Sequence, residues 1–163
     1  MKKVIKIFLG LSFPVYLFLL MVFLFLKSKG YWVDMSLIEY IKSSTNIVPF
    51  KTIITYINAI FDGSMNMDIP IKNLIGNFVM FMPMGIYLPL FINKLNKIVI
   101  YSIFMTILLF SIEVAQLVTR RGSFDIDDFI LNMLGALIGY LFWKSKVVQK
   151  LVKQKSEYPL PVQ

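Results

Sequence analysis

Three apolar segments of the chain carry polar side chains near the same predicted membrane surface. Glu113, Gln116 and Arg120 stand at positions i, i+3 and i+7, so an α-helix would place them on one stripe. Ionisable and amide groups inside a bilayer are costly and by default indicate a functional site. The candidate ligand-binding residues are Asn73, Asn77, Glu113, Gln116, Arg120, Arg121, Asp125, Asp127, Asp128 and Asn132. Together they predict a polar site for an anionic or amphipathic molecule.

Several chemistries are open to these residues. Arginine has a planar fork that suits phosphate or carboxylate, so Arg120 and Arg121 could recognise an anion. Alternatively, Glu113 could form a salt bridge with either arginine, and Asp125 could cap a helix. In an enzyme, Glu113, Asp125 or Asp128 would be the acid or base, because the chain has no Cys and no His. No nucleophile is evident, so we favour binding over catalysis.

The acidic run from Asp125 to Asp128 could also hold a divalent cation through oxygen ligands. Its spacing is not that of an EF-hand loop, and neighbouring arginines could satisfy the acids directly. We therefore predict neither a metal nor a cofactor.

The composition shows where such residues must lie. Of 163 residues, 58% are hydrophobic and 16% are charged, against about 45–50% and about 25% in soluble domains. The formal net charge of +8 could suggest nucleic acid, but Lys and Arg lie between hydrophobic runs, where they orient membrane helices. We predict a membrane protein that contacts lipids and does not bind nucleic acid.

Four runs approach the length of about 20 residues that crosses a bilayer. They are Ile7–Leu26, Asn73–Asn93, Ile98–Thr119 and Phe129–Trp143. The fourth run is short and spans only if Asp125–Asp128 form its polar first turn. The predicted fold is an all-α bundle of about four transmembrane helices, with an amphipathic helix in the long outer loop.

Charge sets the orientation. One set of flanks carries Lys2, Lys3, Lys6, Lys94, Lys97, Lys144, Lys146, Lys150, Lys153 and Lys155. By the positive-inside rule this side, with both termini, is cytoplasmic. The predicted parts are the first helix with its amino end (1–27), an outer loop (28–72), a three-helix core (73–143) and a basic, disordered tail (144–163).

Within the outer loop, apolar residues recur with the period of a helix. The stripe comprises Phe50, Ile53, Ile54, Ile57, Ile60 and Phe61, with Lys51, Thr52, Thr55 and Asn58 on the other face. Thr45 or Asn46 could cap this helix, and Pro49 suits its first turn. It would lie flat at the outer interface or cover the bundle.

Small residues indicate close helix packing. Gly135 and Gly139 form a small-xxx-small pair, which either packs against another helix of the chain or mediates a homo-oligomer. Pro83 and Gly85 interrupt the second apolar run and are expected to shape that helix.

The chain resembles the VanZ-like proteins, small multi-span bacterial membrane proteins named for a member linked to teicoplanin resistance. The resemblance covers Asn46 to Tyr140 as an ordered set of short motifs. These are Asn46-Ile-Val-Pro49-Phe50, Asn73-Leu-Ile-Gly76-Asn77-Phe-Val-Met-Phe81-Met-Pro83-Met-Gly85, Glu113-Val-Ala-Gln116, Arg121-Gly-Ser-Phe124-Asp125-Ile-Asp127-Asp128 and Asn132-Met-Leu-Gly135 with Gly139.

The resemblance implies a protein of the bacterial cell envelope and plasma membrane, and it supplies no reaction. The favoured function is binding or shielding a lipid-linked envelope molecule, such as a cell-wall precursor or a lipoglycopeptide, with lowered susceptibility to teicoplanin. The alternatives are a membrane-embedded enzyme acting on a lipid-linked substrate and a small transporter or accessory subunit.

Sidedness can be measured directly because the native chain has no Cys. We expect S64C and S123C to react with an impermeant thiol reagent in intact cells, and S156C only after lysis. Protection of S123C together with labelling of S156C in intact cells would place the polar site on the cytoplasmic face.

Overall fold

The computed structural model describes residues 2–26 and 35–152. Its α-helices are α1 (Lys2–Phe25), α2 (Leu37–Ser43), α3 (Lys51–Asp62), α4 (Asp68–Met80), α5 (Met84–Phe91), α6 (Ile98–Val118), α7 (Ile126–Lys144) and α8 (Lys146–Val152). A 3-10 helix, Asn93–Asn96, joins α5 to α6. Two short strands, β1 (Thr45–Asn46) and β2 (Phe124–Asp125), pair in parallel.

Four segments of the described chain are long and apolar enough to cross a membrane. They are Val4–Phe25, Asp68–Phe91, Ile98–Val118 and Ile126–Lys144. The prediction of an all-α membrane bundle with an additional helix in the loop is confirmed.

The second segment differs from its prediction in two ways. It begins at Asp68 rather than Asn73, with the acidic side chain in the first turn, where a helix favours negative charge. It is also divided into α4 and α5 by a turn at Phe81–Pro83, because proline has no N–H to continue the hydrogen-bond ladder. The sequence had indicated this role for Pro83.

Hydrogen bonds tie the helices together at both ends of the bundle. At one end, the Gln116 side-chain Nε2 donates to the carbonyl of Leu24 at 2.9 Å, which joins the carboxyl ends of α6 and α1. At the other, the Trp143 Nε1 donates to the Asn96 Oδ1 at 3.0 Å. We call the first end, where α3 also lies, the α3 end of the bundle.

The face of α3 that packs includes only part of the predicted apolar stripe. Ala59 is buried, and Thr52 and Tyr56, which share its face, are partly covered. Of the stripe, Ile53 and Ile60 are partly covered, whereas the other members, such as Ile54 and Phe61, are exposed. α3 contacts α4 and α7. The polar and small face packs because α7 presents carboxylates to it, which leaves an apolar face suited to the membrane interface.

The beginning of the basic tail is ordered. The sequence predicted disorder from residue 144 onward, but α7 continues to Lys144 and Lys146–Val152 forms α8. The Gln149 Nε2 donates to the Trp143 carbonyl at 2.7 Å, and α8 also contacts α1. The rest of the predicted tail, 153–163, lies outside the described residues.

Close packing between α7 and the α4–α5 pair depends on glycine. A Cβ at Gly135 would overlap the Phe78 carbonyl oxygen, and one at Gly139 would overlap that of Met82. A Cβ at Gly85 would meet the backbone of α7 in turn. Both members of the small-xxx-small pair thus pack against the backbone of the same chain, which is one of the two alternatives open from the sequence.

Replacing Gly135 by Ala should therefore destabilise the bundle by about 1–3 kcal/mol, because backbone atoms must move to admit the methyl group. Thermal unfolding of the purified protein in detergent measures the loss. The matched control is G10A on α1, where a Cβ has no neighbour within 4 Å and no loss is expected. Equal stability of the two variants would contradict this packing.

Candidate functional site

A cavity of about 690 Å³ opens at the α3 end of the bundle, between α1, α4, α6 and α7. This volume is within the range of about 300–1,000 Å³ typical of small-molecule sites. Six of the predicted site residues line it: Asn73, Asn77, Glu113, Gln116, Asp128 and Asn132. These six side chains, from three spans, meet at one cavity.

The inner part of the cavity is polar. Glu113 is only 3% exposed, and its Oε2 accepts from the backbone N–H of Asp125 at 3.3 Å. The Asn77 side-chain amide donates to the Asp128 Oδ1. Asn132 is 4% exposed and its Oδ1 has no hydrogen-bond partner among the described residues. We call Glu113, Asp128 and Asn132 the cavity floor.

The outer part of the cavity is apolar. Phe23 of α1 and Ile71 and Ile75 of α4 line it and are themselves exposed on the surface of the bundle. Because these helices span the membrane, the exposed side chains face lipid. Asp68 and Lys72 form an exposed 2.9 Å ion pair, which contributes little to stability. We call Phe23, Ile71 and Ile75 the cavity rim.

Asp127, a predicted site residue, does not line the cavity. It is fully buried, and its Oδ1 accepts from the Phe50 N–H at 2.6 Å. Its Oδ2 accepts from the N–H groups of Thr52 at 2.7 Å and Ile53 at 3.1 Å. The carboxylate therefore satisfies the first backbone donors of α3, which have no backbone partner inside the helix.

Asp125 has a similar structural role. Its Oδ1 accepts from the Asp127 N–H at 2.9 Å, so it is the N-cap of α7, one of the alternatives open from the sequence. It also accepts from the Asn46 Nδ2 at 3.0 Å and from the Thr52 Oγ1 at 2.6 Å. These contacts leave its carboxylate directed at β1 and α3 rather than at the cavity.

The predicted local cap of α3 is therefore wrong. The pairing of β1 with β2 holds Thr45 and Asn46 in extended backbone, several residues before the helix. The N-cap position is Phe50, which has a left-handed backbone (φ 64°) and makes no side-chain cap. Asp127, distant in sequence, supplies the acceptors instead.

The two arginines also differ from their prediction. α6 ends at Val118, and Arg120 adopts a left-handed backbone (φ 54°), so it cannot continue the stripe of Glu113 and Gln116. Its guanidinium carbon lies 5.8 Å from the centre of the Tyr40 ring. Neither Arg120 nor Arg121 lines the cavity.

Three polar residues of the loop belong to this end of the bundle and were missed as site residues. Asn46 and Thr52 bind Asp125, as described above. Burial raises the pKa of the Tyr56 phenol, and the nearby carboxylates of Asp128 and Asp125 raise it further. A signal existed for Asn46 alone, which belongs to the first of the family-like motifs.

The carboxylates near α7 do not converge as metal ligands. No group of three or more Asp or Glu within residues 2–26 and 35–152 is placed to hold a metal ion. Asp125 and Asp127 are directed at α3, whereas Asp128 faces the cavity. The arrangement can therefore orient hydrogen-bond donors or a positive charge inside an otherwise apolar bundle.

Fold and site together define a small α-helical membrane protein with a polar cavity that opens among its transmembrane helices. A profile of the VanZ/LLP1 family matches residues 13–149, and the chain belongs to that family. Comparison with curated proteins and with solved structures gives no significant match.

The role of Asp127 can be tested at α3. We expect D127A to detach this helix, because three part-buried backbone N–H groups lose a charged acceptor, at about 1–3 kcal/mol each. In an A59C background, position 59 is buried and should react with a thiol reagent only when D127A is added. The control D62A removes an exposed carboxylate at the other end of α3 and should leave position 59 protected. Protection in D127A would contradict the anchoring role.

Proposed function

We propose that this VanZ-family protein binds an amphipathic, lipid-linked molecule of the bacterial envelope in the cavity at the α3 end. The cavity carries the proposal because it combines a polar floor with an apolar rim. Such a division suits a molecule with a polar group and a hydrocarbon chain.

The position of the cavity supports a ligand that arrives from the bilayer. The rim residues of α1 and α4 are exposed on spanning helices, so an acyl or polyprenyl chain could lie against them without leaving the lipid. A polar group attached to that chain would then reach Glu113 and Asn132, which are buried. Because the protein supplies this polar surface, the ligand's polar group is held within the bundle.

The positions of the lysines indicate which side of the membrane the cavity faces. Lys94 lies in the 3-10 helix at the end of the bundle opposite to α3, and Lys97 follows that helix. Lys6 and Lys144 lie near the same end. With a cytoplasmic location for this end in the plasma membrane, the cavity faces outward. Lipid-linked cell-wall precursors and teicoplanin-type lipoglycopeptides are amphiphiles that reach the outer face of the plasma membrane. Sequestering either one would lower susceptibility to the antibiotic.

Gly76 allows a test that fills the cavity without disturbing the helices. It lines the cavity, and a Cβ there has no neighbour within 4 Å, so G76F should place a ring in the ligand's space. We expect wild-type protein in nanodiscs to bind a lipid-linked cell-wall precursor or teicoplanin, and G76F to bind it at least about tenfold more weakly. Native mass spectrometry measures the fraction of protein that carries the ligand.

The matched control is G10F, the same substitution at an open position of α1 that does not line the cavity. It should bind as the wild type does. In cells, we expect the strain that expresses G76F to be more susceptible to teicoplanin than the strain that expresses G10F. Unaltered binding in G76F, or an equal loss in both variants, would reject the cavity as the binding site.

A further inference from the structure

The chemistry of the cavity floor indicates which kind of polar group it accepts. We propose that the floor recognises a protonated amine, so that the ligand is an amphiphile with an ammonium at its polar end. This inference rests on the proposed binding function and specifies the ligand class of the same site. It replaces the anion recognition that the sequence had assigned to Arg120 and Arg121.

The first observation is a buried acceptor without a donor. Asn132 lies on the second turn of α7, 4% exposed, and its side chain lines the cavity. Its Oδ1 makes no hydrogen bond within the described part of the chain. A buried polar atom left unsatisfied costs about 1–3 kcal/mol, and a ligand N–H would recover that free energy.

The second observation is the charge of the surrounding side chains. Glu113 and Asp128 contribute carboxylates to the same cavity as Asn132. Like charges in a medium of low dielectric repel strongly, so a phosphate or carboxylate would be disfavoured at this depth. An ammonium would gain attraction from both acids and could donate to the Asn132 Oδ1.

The third observation is how little positive charge the cavity contains. Lys72 is the single basic residue among the described residues that line it, and its Nζ binds the Asp68 carboxylate at the mouth. Arg120 follows the end of α6 and lies over the Tyr40 ring. It does not line the cavity. Among the described residues, the cavity lining therefore carries three carboxylates, on Asp68, Glu113 and Asp128, against one cation.

Phospholipids that differ only in their terminal group provide the test. The protein is reconstituted with dibrominated phosphatidylethanolamine, phosphatidylcholine or phosphatidylglycerol, and the bromines quench a bimane attached through I75C at the cavity rim. The control label is attached through S111C, exposed on α6 at comparable depth: Ile75 is seven residues from Asp68, and Ser111 is seven from Val118.

At position 75 we expect phosphatidylethanolamine to quench with about tenfold higher apparent affinity than phosphatidylglycerol, and position 111 to show no preference. Phosphatidylcholine, whose ammonium has no N–H, should be intermediate. Excess free ethanolamine should not release the quenching, because the rim binds the chain. Release by ethanolamine alone would overturn the claim that the ligand is an amphiphile whose chain binds the rim.

Two variants locate the selectivity at the floor. N132L and E113Q should each reduce the preference for phosphatidylethanolamine to less than about threefold, whereas N58L, at an exposed position of α3, should preserve it. If N132L does not fold, as judged by size-exclusion chromatography, E113Q decides. A preference that survives E113Q would overturn the proposal.

Failure of this inference differs from failure of the proposed function. If phosphatidylglycerol quenches at position 75 as well as phosphatidylethanolamine does, and both exceed position 111, the cavity binds lipid but does not select an amine. If positions 75 and 111 are indistinguishable for every lipid, the cavity does not bind these phospholipids and the inference falls, whereas the proposed function is still decided by the comparison of G76F with G10F.

Discussion

The buried carboxylate of Asp127 holds the α3 end of the bundle together. It accepts three backbone N–H groups from Phe50, Thr52 and Ile53, although it belongs to a different helix. A carboxylate is stable in a dry interior only when such donors surround it, and helix donors near an apolar bundle need acceptors equally. The attachment of α3 to α7 depends on this exchange.

The acids near α7 divide into two groups with different consequences. Asp125 and Asp127 point toward α3 and are satisfied by the protein itself, so they stabilise the fold. Glu113 and Asp128 face the cavity, where a ligand can meet them. Adjacent residues of α7 belong to different groups, because Asp127 and Asp128 project from the helix in directions about 100° apart. A short acidic run can therefore serve two surfaces.

Close packing of the backbone makes room for the cavity at one end of the bundle. Gly135 and Gly139 bring α7 against α4 and α5, where the turn at Pro83 lets the second span follow α7 closely. α1 is fastened further from the α3 end by the hydrogen bond from the Tyr16 hydroxyl to the Met80 carbonyl, at 2.8 Å. Toward the α3 end, Phe23 and Ile75 of the two helices line the opening instead. The cavity is thus the space that α1 leaves where it separates from α4.

The sequence by itself determined the membrane class, the four spans, the loop helix and six of the polar residues that line the cavity. Each follows from a local property: apolar length, helical period, or the cost of polar groups in a bilayer. Only the tertiary structure decided which carboxylates face the cavity, which face of α3 packs and where Arg120 lies. Those outcomes depend on where α6 ends and on hydrogen bonds from Asp127 to residues more than 70 positions away, which no local pattern encodes.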